Sequence, residues 1–202
     1  MKDKIVYATL ELACEKGLAG VTMSQIAQRV GLKKSSLYSH FSSKEDIIVE
    51  MYELLRNRAK TKSGSEETDY GKFVENKSLK EILQNAVMGY RKMNLEDDMA
   101  KFYKVIMSER SINKDAAAIM VKETQKMILA TKQLFYAISA KNIATFENPD
   151  AVAFAFAMGV HSILDYECDL VMAGQEDTQE LMTDFIDEFC RCYEKIEKRI
   201  IS

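Results

Sequence analysis

Apolar residues recur every three or four positions along most of the chain, which is the spacing of amphipathic helices. Ile5, Ala8, Leu12 and Ala13 follow this spacing and predict a first helix over residues 3–16. The same pattern predicts helices over 22–30, 32–41, 78–93, 95–111, 113–141 and 149–173, and two more that begin at residues 43 and 177. No segment alternates in the manner of a strand, so the sequence predicts an all-α fold of about nine helices.

Capping sequences indicate where several of these helices begin and end. Thr22 with Gln25, and Ser78 with Glu81, have the capping-box form, in which each partner binds a backbone amide of the first turn. Asn148-Pro149 places an amide side chain at the N-cap and proline at the first helical position. The polar segment 60–77 is predicted to be a linker.

The composition agrees with helices and limits the class of protein. One proline and eight glycines among 202 residues are too few for the frequent turns of a β-sandwich or barrel. The longest apolar run, residues 151–160, is far shorter than the roughly 18 residues that a membrane span needs. No signal-peptide pattern is present at the amino end, so we expect a cytoplasmic protein without a membrane partner.

The residues that support metal or catalytic chemistry are scarce. His40 and His161 are the only histidines, and Leu37 and Met158 stand three positions before them, so no Glu-x-x-His pair exists. The four cysteines lack the spacing of a zinc site or a disulfide framework. We therefore expect no metal, no cofactor and no catalytic residues, and we expect that the protein is not an enzyme.

Charge is distributed unevenly along the chain. Residues 1–44 carry seven Lys and Arg against three acids, an excess of four. Since the net charge is −3, the remaining residues carry −7. A basic segment on an acidic body favours contact with a polyanion at one end, although an excess of this size also arises by chance.

The second and third predicted helices are short and meet at Gly31, within a three-helix unit, which is the arrangement of a helix-turn-helix. Leu37 and Phe41 would bury one face of the third helix. The outward face would then carry cations and hydrogen-bonding groups and no acid: Lys33, Lys34, Ser35, Ser36, Tyr38, Ser39 and His40. Spacing alone does not distinguish this unit from another compact three-helix unit.

Residues 5–44 resemble the amino-terminal domain of the TetR (tetracycline repressor-like) family of bacterial transcription regulators. The resemblance rests on Val21-Thr-Met-Ser-Gln-Ile-Ala27, Val30-Gly-Leu32, Leu37-Tyr-x-His-Phe41 and Ser43-Lys-Glu45. It implies a helix-turn-helix domain over 1–46 and a helical domain for ligand binding and dimerisation over 47–202.

The resemblance also implies roles for individual residues in binding double-stranded DNA. Thr22 and Ser24 would bind phosphate at the start of the second helix. The remaining predicted contacts are base edges for Lys34, Ser35, Ser36 and Ser39, backbone or thymine methyl groups for Tyr38 and His40, and phosphate for Lys44. Tyr38 could instead be a half-buried core residue, and His40 could pack between helices.

For the carboxyl-terminal domain, the resemblance implies a homodimer formed by the last two helices and a pocket for a small-molecule effector. The predicted interface residues are Phe156, Gly159, Ile163, Leu181, Phe185 and Phe189. The predicted pocket residues are Met88, Phe102, Tyr103, Met107, Met127, Phe135, Met158 and His161, because methionine and aromatic side chains suit an adaptable apolar cavity. Both sets could instead fill the core within one chain.

The resulting functional prediction is a homodimeric repressor that releases a palindromic operator when a small, largely apolar ligand binds. The alternative is a DNA-binding protein of the same fold that is controlled by a protein partner. A helical-bundle enzyme is disfavoured, because the sequence has no phosphate-binding loop and no nucleophile elbow.

Overall fold

The computed structural model describes residues 1–63, 68–94, 97–175 and 179–193. These residues contain ten α-helices and no β-strand. The helices are α1 (Lys2–Lys16), α2 (Met23–Val30), α3 (Lys34–Tyr38), α4 (Lys44–Ser63), α5 (Tyr70–Phe73), α6 (Leu79–Asn94), α7 (Asp97–Glu109), α8 (Lys114–Ala140), α9 (Pro149–Met172) and α10 (Gln179–Tyr193). The all-α prediction is confirmed.

One helix was not predicted, and it accounts for the difference between nine helices and ten. The single turn α5 lies inside the segment expected to be a linker, and the carboxylate of Asp69 accepts a hydrogen bond from the amide of Lys72 at its start, 3.1 Å. An Asp N-cap supports even one turn where no apolar stripe exists. The predicted cap at Asp177 lies outside the described residues.

The chain packs as two compact units. The first comprises Met1–Glu66 and Tyr90–Glu123, and the second comprises Glu67–Gly89 and Thr124–Ser202. These units differ from the predicted domains, which divide the chain at residue 46 into a DNA-binding part and a part for ligand binding and dimerisation. That functional division stays a prediction.

The core of the first unit is formed by α1–α4 together with α7 and the beginning of α8. Ile5, Ile26, Leu37 and Ile47 are completely buried in it, and they come from α1, α2, α3 and α4 respectively. Each short helix therefore contributes an apolar anchor to one shared core, which holds the helix-turn-helix in place.

The core of the second unit is a cluster of aromatic rings. The Phe156 ring centroid lies 4.8 Å from that of Phe189, 5.5 Å from that of Phe185 and 5.6 Å from that of Phe135. These contacts join α9, α10 and the later part of α8. None of the described helices has the length and apolar character needed to cross a membrane.

Candidate nucleic-acid interface

Helix α2 begins and ends at the predicted positions. The Thr22 hydroxyl accepts a hydrogen bond from the Gln25 amide, 3.3 Å, and the Gln25 side-chain oxygen accepts from the Thr22 amide, 3.0 Å. At the other end Gly31 has φ of 73°, and the Leu32 amide donates to the Ala27 carbonyl, 2.8 Å. This Schellman-type ending needs a left-handed residue, which glycine supplies without steric cost.

Helix α3 is shorter than the predicted 32–41, but its two faces are the predicted ones. The chain continues as turns, in which the amides of His40 and Phe41 both donate to the Leu37 carbonyl, 2.9 and 3.1 Å. Leu37 is 0% exposed and Phe41 is 5% exposed, so both are core residues. The opposite face is consequently presented outward by the same turn of chain.

The predicted DNA-contacting residues lie together on this outward face and at the start of α2. Lys34, Ser35, Tyr38 and Ser39 are exposed, and Ser36 and His40 are partly buried. Tyr38 is 46% exposed and lies under the Lys34 ammonium, 5.9 Å from Nζ to the ring centroid, so about half of its surface is available to DNA and the alternative of a half-buried core residue stays open. Thr22 and Ser24 are also exposed. Their contacts with DNA stay predictions.

The acidic side chains of the first three helices form ion pairs elsewhere, so they do not neutralise the cations on the outward face of α3. Arg29 pairs with Glu11 at 3.4 Å and with Glu15 at 3.1 Å, and Asp3 pairs with Arg58 at 3.0 Å. Lys34, in contrast, pairs with no acid within the described ranges. The outward face of α3 therefore keeps an uncompensated positive charge.

Lys44 has a role that the sequence did not indicate. Its Nζ donates hydrogen bonds to the carbonyls of Leu18 and Val21, 2.8 and 3.2 Å, in the loop between α1 and α2. Glu109 holds the same loop by accepting a bond from the Ala19 amide, 3.3 Å. Two of the three ammonium donors are thus occupied in positioning α2, and the predicted phosphate contact of Lys44 stays untested.

A buried polar cluster in the first unit was missed at the level of sequence. Glu123 on α8 accepts hydrogen bonds from the hydroxyls of Tyr52 on α4 and Tyr103 on α7, and pairs with Arg56 on α4 at 3.1 Å. Glu123 is 6% exposed and Arg56 is 8% exposed. Burial, assisted by the Glu123 charge, raises the pKa of both tyrosines above 10.0. One signal existed, because Glu123 interrupts the apolar stripe of α8 formed by Ala116, Ile119 and Met127.

The predicted effector-pocket residues are divided between the two units. Phe102, Tyr103 and Met107 belong to the first unit, and Met88, Met127, Phe135, Met158 and His161 belong to the second. Met88 is 62% exposed and so lines no enclosed cavity in this structure. His161 Nε2 lies 3.8 Å from Asp165 Oδ2, one turn along α9.

The second unit has an open polar cleft of about 410 Å³, and none of the predicted pocket residues lines it. Its lining residues are Val74, Glu75, Asn76, Lys77, Lys141 and Ile143. The effector site stays a prediction.

Four of the predicted dimer-interface residues pack against one another within the chain, and the interface itself stays a prediction. Phe156 is 3% exposed, so it is a core residue and has almost no surface for a partner. Gly159 faces the same chain, because a Cβ built there would lie 2.6 Å from Cζ of Phe185. Phe185 and Phe189 both pack on Phe156. This packing within one chain is the alternative that the sequence left open for these residues.

Other side chains on the same two helices are exposed. Leu181 is 42% exposed and Ile163 is partly buried, so both stay available to a partner. Phe154 is 49% exposed and Tyr166 is 52% exposed, and neither was among the predicted interface residues. The exposed side of α9 therefore carries large apolar groups that the sequence pattern did not separate from the buried ones.

Comparison with known proteins agrees with this geometry. Residues 5–51 match the family described as bacterial regulatory proteins, tetR family. The match covers α1, α2, α3 and the start of α4, which are the helices that build the outward face. The family match is thus confined to this amino-terminal part of the chain.

A curated relative matches a segment of similar length. The biofilm operon icaADBC HTH-type negative transcriptional regulator IcaR of Staphylococcus aureus (strain Newman) is 51% identical over 47 residues. The match spans 23% of this chain and a quarter of the length of that relative.

Solved structures share the fold over nearly the whole chain. A putative TetR-family transcriptional regulator from Mesorhizobium loti has a TM-score of 0.70 at 15% identity, with 96% of each chain covered. The Flavonoid-responsive Regulator FrrA has a TM-score of 0.69 at 20% identity, with 96% of this chain and 97% of that chain covered. The family and these relatives are transcription regulators, in agreement with the prediction that the chain is not an enzyme.

Proposed function

We propose that the protein is a DNA-binding transcription repressor that binds a palindromic operator as a homodimer. The observation that carries this proposal is the outward face of α3. Leu37 buries the opposite face, and the outward face has no acidic residue and exposes Lys34, Ser35, Tyr38 and Ser39. Cations and short polar side chains on such a helix suit the base edges and phosphates of the major groove. The match of 47 residues to a negative regulator supports repression.

The homodimer is supported by the exposed apolar side of α9. Phe154 and Tyr166 are each about half exposed, as is Leu181 on α10. Large apolar groups in such numbers on neighbouring helices are typical of a surface that a second subunit covers. Two recognition helices would then lie about one DNA turn apart, roughly 34–36 Å, which explains the expectation of a palindrome.

Release of DNA would follow from the binding of a small, largely apolar effector to the helices beyond α4. One structural neighbour is named as flavonoid-responsive, which supports this class of effector. A ligand can lower the affinity for DNA only by the ratio of its affinities for the two conformations. Control by a protein partner is the second candidate, and the exposed apolar side of α9 favours it if the purified protein is monomeric.

The first experiment is selection of bound fragments from sheared genomic DNA at about 150 mM salt, where non-specific phosphate binding is weak. Enrichment of a palindromic site is the expected result. Lys34→Ala should then weaken binding of that site roughly five- to 150-fold for each protomer bound, the range for loss of one base contact. Lys16→Ala, at the exposed carboxyl end of α1, is the matched control and should bind as the wild type does.

The oligomeric state is measured separately by sedimentation of the wild type and Phe154→Glu. A wild-type dimer that Phe154→Glu converts to monomer supports the proposed interface. A wild-type monomer, or a selection that enriches no site even after unfolding, dialysis and refolding to remove bound effector, would contradict the proposal.

A further inference from the structure

The first turn of α1 lies beside the chain that leaves the recognition helix. The Lys2 ammonium stands over the ring of Phe41, 5.5 Å from Nζ to the ring centroid. Phe41 comes three residues after Tyr38, the last residue of α3. The Phe41 amide donates a hydrogen bond to the Leu37 carbonyl and so continues the helical turn. A cation from α1 is therefore placed at the carboxyl end of α3, although the two are far apart in sequence.

The charge of Lys2 is available to a ligand. Lys2 is exposed, and it pairs with no acid in the part of the chain that the structure describes. The neighbouring Asp3 is engaged by Arg58 at 3.0 Å. A cation–π contact at an exposed site orients an ammonium group weakly and leaves its N–H donors free.

The position of Lys2 matches one wall of the groove. The major groove is about 12 Å wide, and a helix with its side chains measures about 10–12 Å across, so groups just outside the helix meet the phosphates of the groove walls. Phe41 is buried, and its chain neighbours His40 and Ser42 are partly buried and exposed, so the buried face meets the outward face at this point of the chain. Lys44, for which the resemblance implies a phosphate contact, has two donors bound to the Leu18 and Val21 carbonyls.

We propose that Lys2 binds a backbone phosphate of DNA beside the carboxyl end of α3 and so positions the recognition helix in the groove. This inference rests on the proposed function. Thr22 and Ser24 would hold the opposite wall at the start of α2, so that α3 is fixed from both sides. The contact with Lys2 carries charge and no sequence information.

The test is the salt dependence of DNA binding by Lys2→Gln, with Lys16→Gln as the matched control at the other end of the same helix. The probes are the fragment enriched by genomic selection and a random-sequence duplex of equal length. Loss of one phosphate contact should reduce the slope of log K against log salt by about 0.9 for every protomer bound, which weakens binding about eightfold per protomer at 0.1 M salt. The weakening should be similar for both probes, and Lys2→Arg should retain the wild-type slope.

Three results would overturn the inference. A wild-type slope for Lys2→Gln, with Lys34→Ala still impaired, refutes the role of Lys2 and leaves the proposed function intact. An equal fall in slope for Lys16→Gln shows a general effect of net charge. Failure of the wild type to bind either probe refutes both the inference and the function on which it rests. Thermal unfolding of each variant confirms that the compared proteins are folded.

Discussion

Replacing Glu123 with glutamine tests whether one buried carboxylate joins three helices of the first unit. The carboxylate accepts from the hydroxyls of Tyr52 and Tyr103 and pairs with Arg56, so it connects α8 to α4 and α7. Glutamine keeps the length and nearly the volume of the side chain. The perturbation therefore removes the charge without opening a cavity.

The magnitude follows from burial. With Glu123 at 6% and Arg56 at 8% exposure, removal of the carboxylate charge breaks a buried ion pair of 3.1 Å. Breaking a buried pair by removing one partner costs about 3–5 kcal/mol. The total stability of a native protein is about 5–15 kcal/mol, so Glu123→Gln should lose a large part of it.

The assay is equilibrium unfolding in urea, followed by circular dichroism, for the wild type and each variant. Glu53→Gln is the matched control, because Glu53 lies on α4 and pairs with Lys122, the neighbour of Glu123, at 2.6 Å. Both side chains of that pair are about half exposed, so the control should lose no more than about 1 kcal/mol. The comparison separates the effect of burial from the effect of the substitution type.

A loss below about 1 kcal/mol for Glu123→Gln would refute the reasoning, since it would mean that the buried charge contributes little. A double variant provides a further check. Arg56→Met combined with Glu123→Gln removes both charges and keeps an acceptor oxygen for the tyrosine hydroxyls, so it should be more stable than Glu123→Gln. If the double variant is instead less stable, the cost arises from packing and not from the unpaired charge.

Three further predictions concern other parts of the structure. Burial raises the pKa of Tyr103 in the folded state above the unfolded value of 10.0, so the contribution of Tyr103 to the free energy of unfolding is complete below that value and is lost as the pH rises above it. In unfolding titrations between pH 9 and 11, Tyr103→Phe should therefore lose less stability than the wild type. An equal loss of stability in the two proteins would contradict this. Gly159→Ala should destabilise by about 1–3 kcal/mol, since its Cβ would lie 2.6 Å from Phe185, and Phe185→Leu should relieve part of that cost in a double-mutant cycle; additive losses would show that the two sites do not touch. Thr22→Ala should cost about 1 kcal/mol in thermal unfolding through loss of the α2 cap, and Thr22→Ser should cost much less; equal losses would point away from the hydroxyl.

The features that sequence alone predicted correctly are local ones. The capping box of Thr22 and Gln25, the box of Ser78 and Glu81 and the Asn148 cap each join residues three positions apart. Their geometry depends on one turn of helix and needs no information about the rest of the chain. The apolar period similarly identified Leu37 and Phe41 as the buried side of the turn around α3, and thereby its outward side.

Contacts between distant residues had to come from the folded chain. Periodicity indicates that one side of a helix is apolar, but it does not indicate which neighbour covers that side. Phe156 illustrates the difference, because its pattern suits a subunit interface equally well, and only the packing of α10 against it makes it a core residue. Lys44 and Glu123 have partners 20 to 71 residues away, and Lys2 meets Phe41 across a similar interval. Such pairings depend on how the helices of one unit share a limited interior, which is a property of the folded unit and not of any segment.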